Sequence, residues 1–177
     1  HRGMFLDDDL SRHPGTFALV PQVVDAVDLP VIAAGGIADG RGIAAALALG
    51  AAGVQIGTAY LATSEATISD LHRTALAEAS DDASQITNLF SGKPARGLST
   101  RVMREIGPLS DDTPPFPTAG GALAPLKKAA EANGKTDFSS LWAGQAAALA
   151  RPGDAGEVTR RLVAEAGAHL TRLSRGR

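Results

Sequence analysis

Apolar residues fall into two rhythms along the first third of the chain. From residue 16, Phe17, Val20, Val23, Val24 and Val27 recur at helical spacing, with Thr16 placed as the N-cap. Pro21 fits this pattern if the helix starts near it or bends there. The preceding residues 1–15 are polar, hold Gly3, Pro14 and Gly15, and read as a loop. Past Asp28-Leu29-Pro30 the rhythm changes to the continuous run Val31-Ile32-Ala33-Ala34, expected of a strand covered on both faces. Gly35-Gly36 ends that run. Asp39 is placed to cap a helix over residues 40–49, with Ile43, Leu47 and Ala46 toward the sheet and Gly50 as its C-terminal cap. Val54-Gln55-Ile56 reads as the next strand and Gly57-Thr58 as its turn. The interval between the two glycine turns accommodates one αβ unit with a right-handed connection.

After Tyr60 the alternation of strand and helix stops. Residues 65–79 have a helical pattern in Ile68, Leu71, Ala75 and Leu76. Residues 86–90 suggest a short strand, 93–97 a turn, and Val102, Met103 and Ile106 a short helix. The proline-rich stretch 108–121 reads as an ordered loop, followed by helices at 122–132 and 138–149. An amphipathic helix over 157–172 ends the chain, with Val158, Leu162, Ala166 and Leu170 on one face.

Composition narrows this picture. The 177 residues suffice for one domain, and 17 basic against 19 acidic side chains give a net charge of −2. No block of like charge supports a nucleic-acid partner or an anionic membrane. Cysteine is absent, which excludes disulfides, a thiol nucleophile and thiolate-bound metal. No apolar run approaches the roughly 20 residues of a membrane span. The chain opens on His1-Arg2-Gly3 without a Met, so it reads as the second part of a longer protein.

Two parallel strands that each end in a glycine turn deliver those turns to one sheet edge. Backbone N–H groups at Gly35-Gly36 and Gly57-Thr58 can converge there on a phosphate, with the Thr58 hydroxyl as a further donor. The alternative is a pair of ordinary strand-to-helix turns. On these residues alone the chain is part of a flavin- or sugar-phosphate-binding α/β enzyme. His13, His72 and His169 have no metal-ligand spacing, and Asp7-Asp8-Asp9 reads as a solvated loop, so no metal is expected. Lys93 and Arg96 beside Pro94 could guide an anionic substrate or sit in a surface turn with local ion pairs.

Four blocks in order carry a family resemblance: HRG at residues 1–3, VIAAGGIADGRGIAAALALGAAGVQIGTAYL at 31–61, FSGKPARGL at 90–98 and FSSLWAGQAAAL at 138–149. Together they resemble the FMN-dependent nitronate monooxygenases, formerly called 2-nitropropane dioxygenases. The resemblance implies a TIM-barrel-like (β/α)8 FMN domain, of which only the last strands are present, plus a helical subdomain. It divides the chain into 1–64 as the C-terminal part of the barrel, 65–140 as a covering subdomain and 141–177 as helices packing back on the barrel. By position, Gly35, Gly36, Gln55, Ile56, Gly57 and Thr58 would bind FMN, and His1 matches the family's active-site histidine. The implied reaction oxidises alkyl nitronates with O2 to a carbonyl compound and nitrite.

The implied partners are a small-molecule nitronate, O2 and the missing N-terminal part of the same protein, with a homodimer left open and a cytoplasmic location. The glycine-rich core and histidine are shared with flavin-dependent NAD(P)H enoyl-ACP reductases. HRG, ARGL and WAGQ favour the monooxygenase. A non-catalytic flavin-binding fragment is the third reading.

Overall fold

A computed structural model describes residues 9–176. Over these residues the chain is an α/β protein with two two-stranded sheets, and it divides into two compact units, one over 9–11 with 68–148 and one over 12–67 with 149–176.

The second of these units begins with α1 (Thr16–Ala26) and carries the parallel strands β1 (Ile32–Ala34) and β2 (Gly53–Gln55), joined by α2 (Gly40–Ala48). Gly15, rather than Thr16, is the N-cap of α1. Its extended backbone turns its carbonyl to the amides of Ala18 and Leu19, at 3.0 and 2.9 Å. Thr16 lies inside the helix and its hydroxyl faces the Ala34 carbonyl instead. Pro21 is accommodated within α1, at the loss of one backbone hydrogen bond.

Val20, Ala33, Ala46 and Ala51 form the core here, with Val24, Ile37, Leu49 and Val54 against them. Ala46 therefore faces the sheet as expected, whereas Leu47 is exposed. The expectation that β1 is covered on both faces fails among the described residues. Ala33 is 2 % exposed, but Ile32 on the opposite face is 57 % exposed, and Phe17 of α1 reaches 74 %. The strand alternates because only one of its faces has a layer packed on it.

Helix α2 ends in a Schellman turn. Gly50, at φ +92°, donates to Leu47, and Ala51 donates back to Ala46 at 3.0 Å. Beyond β2 lies the single turn α3 (Thr58–Leu61). The long C-terminal helix, numbered α7 below (Ala155–Arg175), packs on α2 and buries Val158, Leu162 and Ala166, while Leu170 is exposed. Asp154 caps α7 through the Glu157 amide, and the Glu65 carboxylate accepts from Ala155 N–H at 3.0 Å. Glu65 is thereby committed to α7, and the helix expected at 65–79 starts only at α4 (Asp70–Ala77), capped by Ser69.

The other unit contains α4, the antiparallel pair β3 (Ser84–Thr87) and β4 (Ala95–Leu98), α5 (Arg101–Ile106) and α6 (Ala119–Glu131). Three expectations are corrected. The turn read at 93–97 is largely strand β4, and the strand read at 86–90 lies at β3. The helix read at 138–149 does not form. Leu141 accepts from Leu98 N–H at 2.8 Å and Ala143 donates to the Arg96 carbonyl at 3.2 Å. This segment thus gives its backbone bonds to β4, with Gly97 opposite Trp142, and only Ala147–Leu149 closes a 3-10 turn. Leu89, Phe90, Val102 and Met103 make the core, and Phe90 meets Trp142 edge-on at 5.9 Å.

Candidate functional site

The parallel register determines what the glycine turns can do. Ile32 pairs with Gly53, Ala33 with Val54 and Ala34 with Gln55. Gly36 and Gly57 each follow the last paired residue by two positions, so they leave the sheet level with one another. Gly35, Gly36, Gln55, Ile56, Gly57 and Thr58 therefore gather at the C-terminal edge of one sheet.

The two turns use glycine for different reasons. Gly35 and Gly36 have φ of +104° and +73°, in the region that a Cβ makes costly. Gly57 has an ordinary φ of −103°, so its conformation does not require glycine. A Cβ built on Gly36 or on Gly57 meets nothing within 4 Å. Both positions are exposed, as is Gln55, while Gly35, Ile56 and Thr58 are half-buried. The edge thus presents backbone with open space in front of it, a shape suited to a phosphate approaching main-chain N–H groups.

Asp39 fixes the far side of the first turn. Its carboxylate accepts from the amides of Arg41 and Gly42 at 2.9 and 3.2 Å and pairs with the Arg41 guanidinium. The bond to Arg41 is the main reason its carboxyl is held below the ordinary value of 3.8. Asp39 stays ionised at the head of α2, where the helix dipole favours it.

His1 lies outside the described residues, as do Asp7 and Asp8. His13 is exposed, His72 is buried on α4, and His169 contacts Arg172 at 3.2 Å. Among the described residues no group of three His, Cys, Asp or Glu side chains could hold a metal ion. No helix there is long and apolar enough to cross a membrane. Of the two cations singled out near Pro94, Arg96 is half-buried on β4 and is held by Ser84 at the far end of β3. Sequence reasoning did not find Ser84, because the hairpin that brings the two together was read as a turn.

Comparison with known proteins bears directly on these turns. The family model for nitronate monooxygenase matches residues 1–165, a span that takes in both. A probable nitronate monooxygenase from Staphylococcus haemolyticus is 38 % identical over 173 residues, covering 97 % of this chain and 48 % of that protein. One from Staphylococcus saprophyticus is 39 % identical over 151 residues, covering 84 % of this chain and 42 % of the relative. The chain thus spans about half the length of the curated relatives it matches.

Among solved structures, a nitroalkane oxidase from Streptomyces ansochromogenes superimposes with a TM-score of 0.85 at 40 % identity, covering 96 % of this chain and 48 % of the other. FabK from Thermotoga maritima superimposes with a TM-score of 0.77 at 34 % identity, covering 92 % and 52 %. With the family match running through both glycine turns and the fold following the same relatives, the chain belongs to the nitronate monooxygenase family of oxidoreductases.

Proposed function

We propose that this chain carries the phosphate-binding edge of an FMN-dependent nitronate monooxygenase, which oxidises alkyl nitronates with O2 to a carbonyl compound and nitrite. The observation that carries the reading is the register-matched pair Gly36 and Gly57, each with open space where a side chain would stand. In this reading β1 and β2 are the last strands of a TIM-barrel-like domain formed with the remainder of the protein. Residues 1–64 belong to that barrel and 65–140 to a separate subdomain; of 141–177, helix α7 packs back on α2, while 141–148 stay with the subdomain through their pairing to β4. The cytoplasm is the expected compartment.

The roles follow from the chemistry of the edge. Amides at Gly35, Gly36 and Gly57, with the Thr58 hydroxyl, would hold the dianionic phosphate. Gln55 and Ile56 would border the ribityl chain. Asp39 keeps the first turn in place by spending its carboxylate on α2 rather than on the ligand. FMN, when bound, supplies the redox chemistry between the nitronate and O2. His1 would hold the substrate or take its proton, since an imidazole changes charge near neutral pH.

The test is anaerobic mixing of the full-length protein, first with propane-2-nitronate and separately with NADH. The flavin absorbance should bleach with the nitronate and not with NADH. Rapid bleaching by NADH without a nitronate response would make the protein a reductase. A protein that takes up no flavin would overturn both readings.

A further inference from the structure

No residue of α7 belongs to the glycine edge, yet this helix holds the chain behind both turns. At its start, the segment that follows Gly57 is tied to it three times. The Tyr60 and Thr159 hydroxyls share a hydrogen bond of 2.7 Å. Ser64 N–H donates to the Gly153 carbonyl at 3.0 Å, and the Glu65 carboxylate accepts from Ala155 N–H at 3.0 Å. Nearly three turns further along α7, the Glu165 carboxylate accepts from Gly40 N–H at 3.1 Å. Gly40 opens α2, just past the first glycine turn. All of these bonds lie within one compact unit.

These ties matter because the elements next to the turns are short. Helix α3 is a single turn of four residues, far below the roughly 12–15 at which an isolated helix becomes marginally stable. β1 and β2 pair over only three residues each. Helix α7, in contrast, runs 21 residues and buries Val158, Leu162 and Ala166. Its fit at Gly40 has no slack, since a Cβ there would stand 2.5 Å from the Ala166 backbone nitrogen. Amides aimed at one dianion bind it best when their separation is set before it arrives. We propose that α7 is the spacer that sets the separation of the two phosphate-binding turns, with Glu65 and Glu165 as positioning residues, one behind each turn. This rests on the flavin-phosphate reading above. In the competing role, α7 stabilises the unit without bearing on the phosphate.

The experiment uses the full-length protein, stripped of flavin and titrated with FMN, as wild type, Glu65→Ala, Glu165→Ala, Glu65→Gln and Glu165→Gln. The readouts are the Kd for FMN, the phosphorus NMR resonance of the bound phosphate at saturating FMN, and the apoprotein Tm. Each alanine variant should weaken FMN binding about 10-fold and move the phosphate resonance from its wild-type position. Glutamine keeps an acceptor and loses the charge, so both glutamine variants should lie between alanine and wild type.

Wild-type Kd and resonance in both alanine variants, whatever their Tm, overturn the inference and leave α7 a stabilising element. A raised Kd with an unmoved resonance overturns it too, because the loss then lies elsewhere on the flavin. An effect from one carboxylate alone makes α7 an anchor for a single turn and overturns the spacer. Should an alanine variant not fold, wild-type Kd and resonance in its glutamine counterpart overturn the inference equally. A wild type that takes up no FMN overturns the flavin reading itself, and the inference with it.

Discussion

At the scale of single residues, Asp39 and Gly50 hold the two ends of α2 by complementary means. Asp39 supplies acceptors to the first amides, and Gly50 supplies the left-handed turn that returns the last amides to Ala46 and Leu47. Replacing Asp39 with alanine should cost about 1 kcal/mol at neutral pH, seen as a lower urea midpoint with unchanged slope. The folded-state pKa of Asp39 is depressed, so its contribution is complete above 3.8 and fades as pH falls through the lowered value. The gap between wild type and Asp39→Ala should therefore close in acid, and a constant gap would contradict the assignment. His1→Asn in the full-length protein should retain FMN and lose most turnover; unchanged turnover would remove His1 from the mechanism.

These caps were legible in sequence because capping is local. Asp39 and Gly50 act on backbone within a few positions of themselves. The glycine turns were legible for the same reason, although the spacing could not tell which glycine was conformationally required. His1 acquires meaning only from the family resemblance.

Among elements, the contact between α2 and α7 depends on a missing side chain. A Cβ on Gly40 would stand 2.5 Å from the Ala166 backbone nitrogen and closer still to Glu165, whose carboxylate also accepts from Gly40 N–H at 3.1 Å. Helix propensity alone favours alanine over glycine by about 1 kcal/mol. The packing reverses that sign, and Gly40→Ala should lower stability by about 1–3 kcal/mol. A thermal melt with an unchanged or raised Tm would show that α7 moves aside freely.

Nonlocal partners explain what the sequence left unread at this scale. Residues 93–97 hold turn formers, yet Ala95 to Leu98 pair with β3 because the hairpin offers a ladder. The apolar stretch 138–149 has helical spacing, but Leu141 and Ala143 find their backbone partners on β4. Glu65 leaves its predicted helix to cap α7, ninety residues on. In each case a distant segment outbid local propensity.

For the molecule as a whole, the two-stranded sheet bearing the glycine edge has one open face at Ile32, and the relatives are about twice as long as this chain. Burial on both faces could not be read from β-branched composition, since what covers a strand is set by the rest of the fold. Flavin-phosphate binding at this edge is best examined at Gly57. Its φ is ordinary and its Cβ direction is empty, so Gly57→Ala and Gly57→Val leave the backbone unstrained while filling the space in front of it. Gly36 is a poorer probe, because its positive φ makes any side chain destabilising there.

The decisive measurement is the FMN-to-protein ratio of the purified full-length Gly57 variants, taken beside their melting temperatures after flavin removal. Apoprotein stability should stay close to wild type, with a reduced flavin content in Gly57→Ala and a nearly complete loss in Gly57→Val. A folded Gly57→Val protein carrying the wild-type complement of FMN would contradict it.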